Sequence, residues 1–116
     1  MLKYLKKKNL KIGILGGSFD PPHKGHIAIS KFALKELILN HVIWIVTKKN
    51  PLKFKPYYNT EERIILCKKI VKNFKKIKIE YLDEVVESSS TYKLLQYLKN
   101  FNRSLKFFFI IGADNL

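Results

Sequence analysis

A short apolar run, Leu10–Leu15, leads straight into Gly16-Gly17-Ser18-Phe19-Asp20-Pro21-Pro22-His23-Lys24-Gly25-His26, and a second, longer apolar stretch, Ile27–Leu39, follows. The first run reads as a buried strand and the second is long enough for a helix. What joins them is a turn with glycines at its start and two prolines to stiffen it. Glycines let a backbone approach a phosphate without a Cβ in the way. The N–H groups and positive end of the following helix favour an anion there. His23 and His26, three residues apart, can face the same way on the first helical turn. Ring nitrogens beside a bound phosphate can donate hydrogen bonds to charge that develops during phosphoryl chemistry. The pattern is neither the lysine-bearing phosphate loop nor the Gly-x-Gly-x-x-Gly fingerprint, so it does not carry their chemistries.

The rest of the chain alternates in the same way. The apolar positions Ile27, Ala28, Ile29, Phe32, Ala33, Leu34, Leu37 and Ile38 are too broad for one stripe and suit a helix packed between a sheet and a neighbour, ending at Asn40 and His41. His41 reads as a plain surface or capping residue. Val42–Val46 is apolar on both faces, like a central parallel strand, with Trp44 as core. Thr47–Tyr58 is a loop broken by Pro51 and Pro56. Asn59 and Glu62 have capping-box spacing, which starts a helix at Thr60. Ile64, Cys67, Ile70, Val71 and Phe74 recur along it with helical period, so Cys67 is a buried structural thiol. Arg63, in its first turn, is left between a functional role and an exposed or ion-paired side chain. Ile77–Leu82 alternates as a half-exposed edge strand, Thr91–Leu98 is a third helix, and Lys106–Ile111 is a fourth strand.

The order β-α-β-α-β-α-β gives a doubly wound, Rossmann-like α/β fold with a parallel sheet. Strand order 3-2-1-4 sets strands 1 and 4 side by side at the switch point where such sheets bind ligands. A chain of 116 residues is one domain's worth. It has no apolar run near the roughly 20 residues of a membrane span, and its basic start is followed by too short an apolar piece for a signal peptide. One cysteine makes no internal disulfide, so the cytoplasm is the expected location. The net charge of +14 comes from scattered lysines, with Arg63 and Arg103 the only arginines. Readers of bases lean on arginine forks, so no specific nucleic-acid partner is expected. Glu80, Asp83, Glu84 and Glu87 match no metal-ligand spacing and read as solvated loop carboxylates.

Gly17-Ser18-Phe19-Asp20-Pro21 followed by His23-x-Gly25-His26 resembles the signature of nucleotidyltransferases with a His-x-Gly-His motif. The paired glycines, Ser18 and His23 resemble nicotinate-nucleotide adenylyltransferases in particular; the sister phosphopantetheine family usually has threonine at the position of His23. The resemblance implies adenylyl transfer from ATP to nicotinate mononucleotide in NAD biosynthesis, with Mg²⁺ accompanying the triphosphate; no metal-ligand residues are assigned in the chain. It makes His23 and His26 the catalytic pair and places Gly16, Gly17, Ser18, Phe19, Asp20 and Gly25 at the nucleotide. Gly112 and Asp114, after the fourth strand, resemble the second nucleotide contact. Asn50 and Lys53 resemble the acceptor-side loop. Thr91 resembles the residue at the nicotinate end, with Ser90 where the family has tyrosine.

Two alternatives stay open: a sister adenylyltransferase with another phosphorylated acceptor, and a truncated, inactive nucleotide-binding protein. The resemblance covers nearly the whole chain but only the first part of the family's usual length, which leaves the domain incomplete at its C-terminus. The later phosphate-binding Ser/Thr-and-Arg motif has no counterpart. On this reading residues 1–116 alone turn over at least about 10²-fold more slowly than an extended version. The apolar edge Phe107–Ile111 is then expected to promote self-association.

Overall fold

The computed structural model describes residues 3–48, 58–85 and 88–110, with the backbone alone at 47–48, 82–85 and 88–92. A short 3-10 turn at Lys3–Leu5 precedes β1 (Lys11–Gly17), α1 (Lys24–Glu36), β2 (His41–Lys48), α2 (Thr60–Ile70), β3 (Ile77–Val85), α3 (Ser88–Phe101) and β4 (Lys106–Phe109). The strands form one sheet in the order β3-β2-β1-β4, as the sequence pattern predicts, and every neighbouring pair is parallel.

Alternation along the strands builds the two halves of the core. Leu15 from β1 and Val42, Trp44 and Val46 from β2 face α1 and α2, where they meet Ala33, Cys67 and Val71. Ile12 and Ile14 from β1 and Ile43 and Ile45 from β2 face the other way, against Leu5, Leu98 and Leu105. Helices thus cover both faces, which is why β1 and β2 read as continuous apolar runs. Phe107 and Phe108 of β4 divide between the same two faces.

Several boundaries differ from the sequence reading. α1 starts at Lys24 because His23 caps it, and it stops at Glu36 because Ile38 takes a left-handed φ of 51°. Leu39 then drops into the core, and Asn40 pairs with the start of β1, donating to the Lys11 carbonyl and accepting from the Lys11 N–H, both at 2.8 Å. α1 is less covered than its composition predicts, since Phe32 stays exposed, as does Ile38 just past its end. His41 is no surface cap. It opens β2, its ring meets Tyr4 edge-on at 5.2 Å, and its Nδ1 is buried with no hydrogen-bond partner. Burial first, then Lys78 and Lys76, hold its pKa below the ordinary histidine value.

Glu80 is likewise no solvated loop carboxylate. It lies in β3 and accepts from the Tyr4 hydroxyl at 2.8 Å, while Lys78 sits 5.3 Å over the Tyr4 ring. Burial and that hydrogen bond push the Tyr4 phenol well above its usual pKa. The side chains of Asp83 and Glu84, and residue Glu87, lie outside the described set. α3 is longer at both ends than Thr91–Leu98.

Candidate active site

β1 ends at Gly17, in the middle of the sheet's carboxyl edge, and the chain turns there into α1. Phe19 makes the turn possible by taking a left-handed φ of 51°. Its ring goes under the loop and not toward solvent: it is buried, stacked on Trp44 at 5.0 Å and 12°, and 4.7 Å from the ring of His26. An aromatic pair of this kind adds about 0.5–1.5 kcal/mol beyond its buried area. The Asp20–Pro21 peptide is cis. The Asp20 carboxylate accepts from the backbone N–H of Tyr58 at 2.8 Å, at the entry to α2. The side chains of Phe19 and Asp20 therefore shape the loop, and what this segment offers a ligand is backbone.

The two histidines close α1's first turn against each other. His23 is the N-cap, and its Nδ1 accepts from the Gly25 N–H at 3.0 Å; the Nδ1 of His26 accepts from the His23 N–H, also at 3.0 Å. This is a capping box built from imidazoles in place of the usual hydroxyl and carboxylate. The rings lie 3.9 Å apart, tilted by 32°. An imidazole nitrogen that accepts a hydrogen bond carries no proton, so in each neutral ring the proton sits on Nε2. Two adjacent Nε2–H donors at a helix N-terminus are suited to phosphate oxygens.

Gly25 is explained by its neighbour. A Cβ there would lie 2.8 Å from His23 Cε1 and 2.9 Å from its Nδ1, so the imidazole occupies the space that any larger residue would need. Gly16 differs: a Cβ there would meet nothing within 4 Å, so the backbone is open at the end of β1. The Trp44 indole N–H donates to Ser30 Oγ at 2.8 Å, and that hydroxyl donates to the His26 carbonyl at 2.8 Å. His26 is thus anchored through its ring and its backbone.

Arg63 is not exposed, which removes one of its sequence readings. It is 1% exposed, and its guanidinium donates to the Ser18 carbonyl at 2.7 Å and to Thr60 Oγ1 at 3.0 Å. A signal was present: Arg63, Cys67, Ile70 and Phe74 share one helical stripe, and the other three are apolar. Burial pushes the Cys67 thiol up to about 12, although Arg63 pulls the other way, which leaves it unreactive. Ser30 was missed too; its signal was a lone hydroxyl on an apolar helix face.

The structure brings together Gly16, Gly17, Ser18, Phe19, Asp20, His23, Gly25 and His26. Asn50, Lys53, Gly112 and Asp114 lie outside the described residues, and Thr91 lies in α3 with its side chain outside them. Among the described residues there is no group of three or more His, Cys, Asp or Glu that could hold a metal ion. No helix among them is long and apolar enough to cross a membrane.

A doubly wound parallel sheet with a glycine- and histidine-bearing turn over its central strand, beside the β1–β4 switch point, defines an α/β fold with a candidate ligand site at that edge. Residues 14–116 match the cytidylyltransferase-like family, and the chain belongs to that family. It is 46% identical over 97% of its length to a probable nicotinate-nucleotide adenylyltransferase of Pelagibacter ubique (strain HTCC1062), and 43% identical over 92% to one of Bradyrhizobium sp. (strain ORS 278). It spans 62% and 56% of those proteins. The fold matches Plasmodium falciparum nicotinic acid mononucleotide adenylyltransferase complexed with NaAD, with a TM-score of 0.73 and 22% identity, over 90% of this chain and 53% of that one. The same parasite protein complexed with APC gives a TM-score of 0.69.

Proposed function

We propose that the protein transfers the adenylyl group of ATP to nicotinate mononucleotide, a step of NAD biosynthesis that yields the deamido dinucleotide and pyrophosphate. A phosphate oxygen of the mononucleotide attacks the α-phosphorus of ATP, a new P–O bond forms, and the bond from that phosphorus to the β-phosphate oxygen breaks. The electron pair leaves with pyrophosphate, and no residue forms a covalent bond. The observation that carries this reading is the imidazole capping box, which fixes the histidine protons on Nε2. His23 and His26 are the groups that donate to the triphosphate as charge builds on it, and the backbone at Gly16, Gly17, Ser18 and Gly25 lets it approach. The relatives' names support the substrates.

Asn50, Lys53 and Thr91 are proposed on the acceptor side, and Gly112 and Asp114 on the nucleotide side. Mg²⁺ arrives with ATP as part of the substrate, neutralising the triphosphate. The catalytic work of the chain is alignment and charge stabilisation, as in phosphoryl transfer generally. A cytoplasmic location and the absence of a specific nucleic-acid partner accord with this role. Self-association through the β4 edge is supported by Phe109, which stays 56% exposed. Pyrophosphate release with ATP and a panel of phosphorylated acceptors tests the function. Release with nicotinate mononucleotide above all others is expected; a preference for phosphopantetheine would assign the protein to the sister activity.

A further inference from the structure

Arg63 stands on α2, yet its buried guanidinium reaches the backbone of the turn between β1 and α1. The Ser18 carbonyl, accepting at 2.7 Å, belongs to the peptide that enters Phe19, the residue with the left-handed φ of 51°. Phe19 in turn supports the ring of His26 at 4.7 Å. A second tether, from the Tyr58 N–H to the Asp20 carboxylate, ties the same loop to the entry of the same helix. Thr60 Oγ1 accepts from the other terminal nitrogen of the guanidinium at 3.0 Å and sets its plane. Hydrogen bonds from a charged donor are shorter and stronger than neutral ones, and a fork with two fixed directions restrains an acceptor better than a single amine can.

We propose that Arg63 is a positioning residue for the proposed adenylyl transfer, holding the Ser18–Phe19 peptide so that the His23–His26 pair meets the triphosphate in register. It touches no reacting atom and acts through the loop. This rests on the proposed function for its kinetic consequence, but its structural half can be read without any turnover. Trp44, the one tryptophan of these 116 residues, stacks on Phe19 and reports the position of the loop.

The test compares Arg63→Met and Arg63→Lys with the wild type in the intact protein, measuring kcat, the KM values, and the fluorescence and near-ultraviolet circular dichroism of Trp44. Arg63→Met is expected to shift the Trp44 signals and lower kcat by about 10²-fold, the scale of a roughly 1 Å misplacement, with smaller changes in KM. Arg63→Lys, which keeps the charge and loses the fork, should fall between. A folded Arg63→Met with wild-type kcat and Trp44 spectrum overturns the proposal. So does an Arg63→Met that fails to fold beside an Arg63→Lys with both at wild-type values, because the arginine would then serve stability alone. If the wild type itself transfers no adenylyl group, the proposed function fails while the Trp44 comparison still decides whether Arg63 sets the loop.

Discussion

His23 and His26 hold each other in place: the ring of His26 accepts from the backbone of His23 at 3.0 Å, and the two imidazoles lie 3.9 Å apart. The motif is therefore a helix cap and a pair of oriented donors at once. Its effects on stability and on chemistry are separable, because asparagine can replace a capping acceptor and cannot replace an Nε2–H in the same position.

His23→Ala should lose both. The lost cap costs about 1 kcal/mol of stability, and the lost donor costs about 3 kcal/mol of barrier, or roughly 10² to 10³ in turnover. His23→Asn should keep its stability within a few tenths of a kcal/mol and show the same kinetic loss. Urea unfolding and steady-state rates on both variants check this, and equal stability losses would contradict the cap.

Gly25→Ala puts a methyl group where the imidazole of His23 lies, at 2.8 Å from Cε1. Alanine is the better helix former by up to about 1 kcal/mol, so stability should change little. Turnover should nevertheless fall by about 10² as His23 is displaced. A fully active Gly25→Ala would show that the ring is free to move.

Ser30→Ala removes the acceptor for the buried Trp44 N–H. Leaving that donor unsatisfied costs about 1–3 kcal/mol, which thermal unfolding would register. An unchanged midpoint would mean that the indole finds another acceptor.

Sheet order and strand positions were legible in the sequence because burial on two faces writes itself as uninterrupted apolar runs, as in Val42–Val46. The histidine turn was legible because its residue types are rare together. Arg63 lay on an apolar stripe, but its role was not legible, because charge normally marks a solvent face and oxygen partners such as the Ser18 carbonyl and Thr60 Oγ1 come from distant or weakly informative positions. Phe19 was legible as part of the motif but not as its foundation, since only the left-handed turn sends its ring inward. The end of α1 was misplaced because apolar content continues through Leu37, Ile38 and Leu39 after the helix has stopped.

The half-buried ring of His41, with its Nδ1 buried, sets a pH dependence. The fold holds its pKa below the ordinary value near 6.5, so the unfolded chain takes up a proton first as pH falls. This contribution is fully present above about pH 6.5 and is lost progressively below it. Tyr4, Lys76 and Lys78 are ionisable neighbours, and Glu80 accepts from the Tyr4 hydroxyl. His41→Gln, which does not titrate, should flatten the fall in urea midpoint between about pH 7.5 and 5.5. Parallel curves for the two proteins would remove His41 as a cause.

Adenylyl transfer is tested by pyrophosphate release from the intact protein given ATP and nicotinate mononucleotide, with the dinucleotide product followed in the same reaction. Pyrophosphate and dinucleotide should form in equal amounts, dependent on both substrates, and fall about 10² to 10³-fold in His23→Asn while that variant stays folded. ATP binding without release, or release that His23→Asn leaves unchanged, would contradict it.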